Sequence, residues 1–198
     1  MPGGQVVDTE SAQEFMKETL GKITDSELNA VADELEIKSQ KFRKLLNKDA
    51  FKGLEESQIR ALLRSIFSTR RRADELLGLL GVQGLKKNIY SLLYGQEPLQ
   101  RRFQNFYDEV EKAQDYIRFD LPSELLHYNF PDECWLWTRW VWDPKTETGA
   151  LPLVIMEGYN FTAPTMGETY MRVGEATSFV KATGDAAGFT RIGNGPFG

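Results

Sequence analysis

The chain has little of the chemistry that catalytic and metal sites use most often. Its 198 residues include one cysteine, Cys134, and one histidine, His127. A single cysteine forms no disulfide within the chain, and these two residues fall short of the four Cys or His ligands of a structural zinc site. Neither the P-loop pattern G-x-x-x-x-G-K-[ST] nor the nucleophile pattern G-x-S-x-G occurs. We expect a chain with no bound metal and no cofactor.

The chain also lacks a long apolar run. Residues Leu76–Leu80 are interrupted by Gly78, whereas a bilayer-spanning helix needs about 20 mostly apolar residues. The first residues do not show the basic and then apolar segments of a signal peptide. Hydrophobic residues make up 41% of the chain and charged residues 27%, which is typical of a globular domain. We therefore expect a cytoplasmic protein without a membrane span.

Helical periodicity dominates the first two thirds of the sequence. Thr24-Asp-Ser-Glu27 has the spacing of a capping box, which predicts that a helix begins there. Apolar residues at helical spacing predict an amphipathic helix over residues 55–67. Similar stripes predict a helix that ends at Gly81, a short helix from about Asp120, and others between them. We predict a mainly α protein, a bundle of about six or seven short helices.

The sequence changes character near residue 130, and this change suggests the domain organisation. We take residues 1–21 as an N-terminal extension, 22–128 as a helical core, and 129–198 as an aromatic-rich part that completes the core or forms a small lobe. Residues 135–142 and 151–156 have the composition of two strands around a turn. We favour a small aromatic-rich β-hairpin there, and a helix through 135–142 or an irregular region is the alternative.

Charge is segregated along the chain, although the net charge is only −5. The net charge is −7 over residues 1–37, +9 over 38–102 and −7 over 103–198. Such asymmetry is typical of a surface for nucleic acid or for an acidic partner. The alternative, which we favour, is that the basic middle packs against the acidic flanks of the same chain and is neutralised by them. The candidate binding residues in the basic segment are Arg60, Arg64, Arg70, Arg71, Arg72, Lys86 and Lys87.

A short part of the basic segment resembles a helix-hairpin-helix module. The resemblance covers residues 76–93, Leu-Leu-Gly-Leu-Leu-Gly-Val-Gln-Gly-Leu-Lys-Lys-Asn-Ile-Tyr-Ser-Leu-Leu. In that family two short helices flank a glycine turn whose N–H groups hold a nucleic-acid phosphate. The resemblance implies phosphate contacts at Gly81, Gly84, Lys86 and Lys87. The spacing Gly-x-x-Gly and the residue Leu80 depart from the family's Gly-x-Gly turn preceded by proline.

All four tryptophans lie within eight residues, 135–142. Neither a strand nor a helix places all four side chains on one face, so the segment is either sandwiched in the core or open to a partner on one side. Tryptophan and arginine are enriched at the energetic centres of protein interfaces. The candidate interface residues are therefore Trp135, Trp137, Arg139, Trp140 and Trp142.

A second cluster, His127 to Cys134, concentrates side chains that can exchange protons. His127 is the candidate general acid or base, and Asp132 or Glu133 is the candidate group that orients it. The alternative is structural, with His127 hydrogen bonded at a helix end, Asp132 in a turn and Cys134 buried. The catalytic interpretation ranks below the structural one.

Three functional hypotheses follow from these patterns. The first is a non-catalytic helical adaptor, an interaction subunit of a cytoplasmic assembly, because catalytic templates are missing and tryptophan is clustered. The second is a nucleic-acid-binding module that uses the basic segment, residues 38–102. The third is an enzyme that uses His127 as acid or base.

Overall fold

The protein is a bundle of six α-helices, counted over the residues that the structure describes. This computed structural model describes residues 7, 8, 10, 11, 14, 17, 18 and 22–186, so most of the predicted N-terminal extension lies outside them. In chain order the helices are α1 (Asp25–Leu45), α2 (Glu56–Ser65), α3 (Ala73–Tyr94), α4 (Leu99–Glu109), α5 (Asp115–Asn129) and α6 (Met166–Ala186). The described residues form no strand, and the predicted mainly α fold is confirmed.

Helix α1 begins at the predicted capping box. The Thr24 hydroxyl accepts a hydrogen bond from the Glu27 N–H at 3.3 Å, and the Glu27 carboxylate accepts one from the Thr24 N–H at 2.9 Å. These two bonds satisfy N–H groups that the first turn of a helix cannot pair internally.

Helix α5 forms the centre of the bundle. It packs against α1, α3 and α4, and most of its residues are buried. It begins at Asp115, earlier than the sequence suggested, so that Pro122 lies inside the helix. A helix that is buried on most sides is expected to be apolar all round, but α5 also buries polar residues, namely Asp120, Ser123, Glu124 and Asn129.

Helix α3 bends sharply at Gly81. This glycine has φ 66° and ψ 160°, a conformation that residues with a Cβ rarely adopt, and it joins two helical segments directly. The prediction that a helix ends at Gly81 is therefore correct for the first segment, and the chain becomes helical again at once.

The predicted β-hairpin is absent, and so is the alternative helix over residues 135–142. These residues are in turns or have no regular secondary structure, and residues Leu151–Leu153 form a short 3₁₀ helix. Backbone bonds of hairpin type are few here: Ala150 N–H donates to the Trp140 carbonyl and Leu151 N–H to the Val141 carbonyl. Asp143 and Thr148 form one isolated antiparallel bridge in the turn between them. The irregular alternative is the correct one.

Helix α6 covers α4 and the tryptophan-rich segment. Two glycines permit the close approach. A Cβ at Gly167 would overlap the backbone carbonyl of Gln100, and a Cβ at Gly174 would lie 2.3 Å from the Trp135 ring. Both positions therefore accept only glycine without a shift of the neighbouring atoms.

Residues from the predicted helical core and from the C-terminal part share one hydrophobic cluster. Phe103 of α4 stacks with both Trp137 and Tyr170 of α6. Phe119 of α5 stacks with Trp137 in the same group of rings. Among the described helices, none combines the length and apolar composition that crossing a membrane requires.

Candidate protein-interaction site

Helix α5 carries a polar stripe that faces the tryptophan loop, by which we mean residues 134–142. Asp120, Ser123, Glu124 and His127 follow the spacing i, i+3, i+4, i+7, so they lie on one face of the helix. The first three side chains are buried, and His127 is half-buried.

Three members of the stripe bind the backbone of the tryptophan loop. The bonds are Arg139 N–H to Asp120 Oδ1 at 3.0 Å, Trp137 N–H to Ser123 Oγ at 2.5 Å, Ser123 O–H to the Trp135 carbonyl at 3.3 Å, and His127 Nδ1 with the Cys134 carbonyl at 2.8 Å. Helix side chains thus take the place of a neighbouring strand. Because these backbone groups are already paired, the loop has no need of a sheet partner, which explains why the hairpin prediction failed.

The fourth member, Glu124, ties the stripe to helix α1. Its carboxylate lies 3.1 Å from the Lys38 ammonium, and its side chain is only 5% exposed. The same ammonium lies 3.9 Å from the centre of the Tyr128 ring. The buried charge of Glu124 is therefore compensated by a cation that an aromatic ring also stabilises.

Asp120 has no such cation at hydrogen-bond distance among its described contacts. Burial raises the pKa of Asp120 to about 7, the hydrogen bond from the Arg139 N–H lowers it in part, and the nearby Glu124 raises it further. Burial lowers the pKa of His127, and the bond to Cys134 opposes that shift. Near neutral pH the stripe therefore contains a carboxyl group close to its titration point and a neutral imidazole.

The four tryptophans divide into core and surface residues. Trp137 and Trp142 are fully buried, and the Trp137 indole N–H donates to the Trp142 carbonyl at 2.8 Å. Trp135 is half-buried between α6 and the loop, where its indole N–H donates to Ser178 Oγ at 2.9 Å. Trp140 is 65% exposed. Among the five candidate interface residues, Trp140 is therefore the exposed one, and its neighbour Arg139 is half-buried.

Arg139 links Trp140 to an aromatic surface. Its guanidinium carbon lies 5.4 Å from the centre of the Trp140 ring and 4.5 Å from the centre of the Tyr116 ring. The backbone on either side is fixed, since Asp120 holds the Arg139 N–H and Ala150 N–H donates to the Trp140 carbonyl at 3.0 Å. An exposed tryptophan is therefore held on a rigid loop.

A groove of about 740 Å³ opens beside Arg139. Its walls are mainly apolar and aromatic, and charged groups of both signs lie along them. The lining residues are Tyr107, Gln114, Asp115, Tyr116, Phe119, Arg139, Asp143, Pro144, Lys145 and Met166. The Arg118 guanidinium packs 3.7 Å from the Tyr107 ring centre and thereby supports this wall. We call Trp140, Arg139 and this groove the Trp140 face.

Most of the arginines proposed for nucleic acid have acidic partners within the basic segment itself. Arg60 pairs with Glu56 and Asp74, Arg64 also pairs with Asp74, and Arg72 pairs with Glu75. Arg70 is exposed and packs 4.8 Å from the ring centre of Phe67, and Arg71 is exposed.

The residues of the helix-hairpin-helix resemblance lie at and after the bend in α3. Gly81 adopts the positive φ described above, whereas Gly84 is helical. Lys86 donates to the Lys52 and Leu54 carbonyls at 3.0 and 2.8 Å, so it binds the end of the 3₁₀ turn Ala50–Gly53. Lys87 is exposed and lines a different groove, between α3 and α4.

The candidate catalytic residues do not converge. Asp132 and Glu133 are exposed in a turn, while the Nδ1 atom of His127 is engaged by the Cys134 carbonyl. Burial raises the pKa of the Cys134 thiol to about 11, which keeps it protonated and poorly nucleophilic. Within the described part of the chain, no group of three or more His, Cys, Asp or Glu side chains is arranged to hold a metal ion.

Sequence reasoning missed Asp120, Ser123 and Tyr116. A signal for the first two was present, because polar residues at i, i+3, i+4 and i+7 in a helix otherwise rich in leucine mark a polar stripe. Tyr116 carried no local signal, since its role depends on Arg139, which is distant in sequence. No family model, curated protein or solved structure matches the chain.

Proposed function

We propose that this protein is a non-catalytic interaction subunit that binds a protein partner through the Trp140 face. The observation that carries the proposal is the 65% exposure of Trp140 on a loop that Asp120 and Ala150 hold in place. Covering a large apolar ring with a partner removes it from water and so favours binding. A rigid loop also loses little conformational entropy when it binds.

The neighbouring groove supports a protein rather than a small molecule as the ligand. Trp140 is not among the groove's lining residues, so a compound that filled the cavity alone would leave this ring in water. A protein partner can place an apolar side chain in the groove and cover Trp140 at the same time. Aromatic anchors with an adjacent arginine are the composition of interface hot spots.

The test compares affinity purification of the wild-type chain with Trp140→Ala and with a matched control, Leu153→Ala. Leu153 is 56% exposed and lies outside the Trp140 face. We expect a partner that wild type and Leu153→Ala retain and Trp140→Ala loses, with a Kd raised about 30-fold or more for a typical hot spot. Because the Trp140 ring is exposed, its loss should leave the unfolding temperature nearly unchanged.

Two results would contradict this proposal. One is capture of the same proteins by all three chains, which would mean that Trp140 takes no part. The other is association that disappears after nuclease treatment, which would favour the second candidate below.

The second candidate function is binding of single-stranded nucleic acid. It is favoured by Phe67, which is 53% exposed and packs against Arg70, since exposed rings beside arginines stack on bases. This candidate requires affinity that falls steeply with salt and falls again in Phe67→Ala. Absence of binding at low salt would eliminate it.

A further inference from the structure

One face of helix α1 changes from acidic to basic along its length. Glu34, Ile37 and Lys41 are all exposed, and their spacing places them on the same side of the helix. Ile37 is 51% exposed between the two charges, and Val31, one turn before Glu34, is 53% exposed. Two β-branched apolar side chains are thus exposed to water on a face that is otherwise charged.

The same face borders an apolar groove between α1 and α2. The groove has a volume of about 390 Å³, and its walls are far more apolar than polar. Glu34, Ile37 and Lys41 line it on the α1 side together with Leu45, while Ala61 and Leu62 contribute from α2. A helix laid along α1 would therefore contact apolar side chains from two helices.

We propose that a second copy of this chain docks on the α1–α2 groove, with the two α1 helices antiparallel. In a two-fold arrangement centred between Ile37 and Lys38, residue n of one copy faces residue 75 − n of the other. Glu34 then faces Lys41 of the second copy, and the symmetry forms this pair twice. Ala30 likewise faces Leu45, and the two Ile37 side chains lie next to each other at the centre.

The order of the charges favours a second copy over other helical partners. A uniformly acidic helix would place a negative charge against Glu34, and a uniformly basic one would place a positive charge against Lys41. A parallel second copy would place Glu34 against Glu34. An antiparallel partner with the same acid-to-base order matches both ends, and the chain itself is such a partner.

The size of the surface predicts a weak dimer. Helix α1 has 21 residues, which makes it about 31 Å long. Even with α2 as a second wall, this strip is smaller than the ~800 Å² a side of a standard interface. We therefore expect dimerisation in the micromolar range, weakened by salt because the ion pairs are at the rim. None of these residues belongs to the Trp140 face, so dimerisation can be tested independently of partner binding at that face.

Sedimentation velocity over a concentration series tests the proposal with charge-reversed variants. Glu34→Lys and Lys41→Glu each turn two attractive contacts into two repulsive ones, so the dimer Kd should rise roughly tenfold or more. The double variant Glu34→Lys/Lys41→Glu restores opposite charges at both contacts and should dimerise like wild type. An equimolar mixture of the two single variants should form a heterodimer for the same reason.

Lys87→Glu is the matched control, because it makes the same charge change at an exposed site on α3. Circular dichroism checks that each variant is folded, and all substituted positions are exposed. A wild-type chain that stays monomeric at every concentration would overturn the proposal. So would a dimer that the single reversals do not weaken, or a double variant that dimerises no better than the single variants.

Discussion

The buried carboxyl group of Asp120 should make the protein less stable as the pH rises. Its side chain is 3% exposed, and burial raises its pKa from 3.8 to about 7 in the folded state. Between these two values the folded state binds more protons than the unfolded state. The free energy of unfolding therefore falls as the pH increases from about 4 to 7.

The magnitude follows from the difference between the two pKa values. A shift of this size corresponds to about 4 kcal/mol once the pH exceeds the folded-state value, at about 1.4 kcal/mol per unit. At pH 5 only the part of the shift between 3.8 and 5 contributes, which is about 1–2 kcal/mol. The change between pH 5 and pH 8 is therefore about 2–3 kcal/mol.

Asp120→Asn tests this reasoning because it removes the charge and keeps an oxygen to accept the Arg139 N–H. Urea unfolding followed by tryptophan fluorescence, at several pH values from 4 to 8, gives the difference in stability between variant and wild type. We expect this difference to grow in favour of the variant as the pH rises. Parallel curves for the two proteins would refute the argument, whatever their offset. Measuring the difference also cancels the contribution of His127, whose lowered pKa destabilises both proteins below about pH 6.5.

Two further substitutions test the packing of the tryptophan loop by chemical denaturation. Ser123→Ala leaves the buried Trp137 N–H without its acceptor and should cost about 1–3 kcal/mol; a loss below the error of the measurement would mean that this bond does not anchor the loop. Gly174→Ala drives a Cβ into the Trp135 ring and should destabilise by about 1–3 kcal/mol. Its control, Gly84→Ala, adds a Cβ to a helical glycine whose nearest neighbour is 4.0 Å away and should be neutral or stabilising by up to about 1 kcal/mol. If Gly174→Ala and Gly84→Ala changed the free energy of unfolding equally, that result would contradict the packing of α6 against Trp135.

Local signals in the sequence predicted the helices well. The capping box at Thr24 and the glycine at position 81 act through neighbouring residues, so their outcome does not depend on the rest of the fold. The favoured hairpin over the tryptophan loop is absent for the opposite reason, and the irregular alternative is the correct one. Its composition favours strands, but whether a strand forms depends on what pairs with its backbone, and here the partners are side chains of α5.

The candidate interaction site was predictable in kind but not in detail. Clustered tryptophans beside an arginine indicated either core or interface, and the structure buries some of these rings and exposes another. Trp137 and Trp142 are core residues, whereas Trp140 is exposed. No pattern in eight residues separates these outcomes, because exposure depends on where α4 and α6 lie. The basic segment was similarly ambiguous, since Asp74 pairs with Arg60 and Arg64 only once α2 and α3 pack together.

The polar stripe of α5 connects stability to the proposed function. An apolar helix at the centre of the bundle would avoid the cost of burying the Asp120 carboxylate. It would also leave the Arg139 N–H without an acceptor, and the segment that carries Trp140 would lose an attachment to the core. Asp120→Asn keeps this attachment and removes the charge. If the Trp140 face needs only a rigid loop, this variant should be more stable at pH 8 and bind the partner as tightly as wild type. Weaker binding by the stabilised variant would mean that the charge of Asp120 itself contributes to recognition.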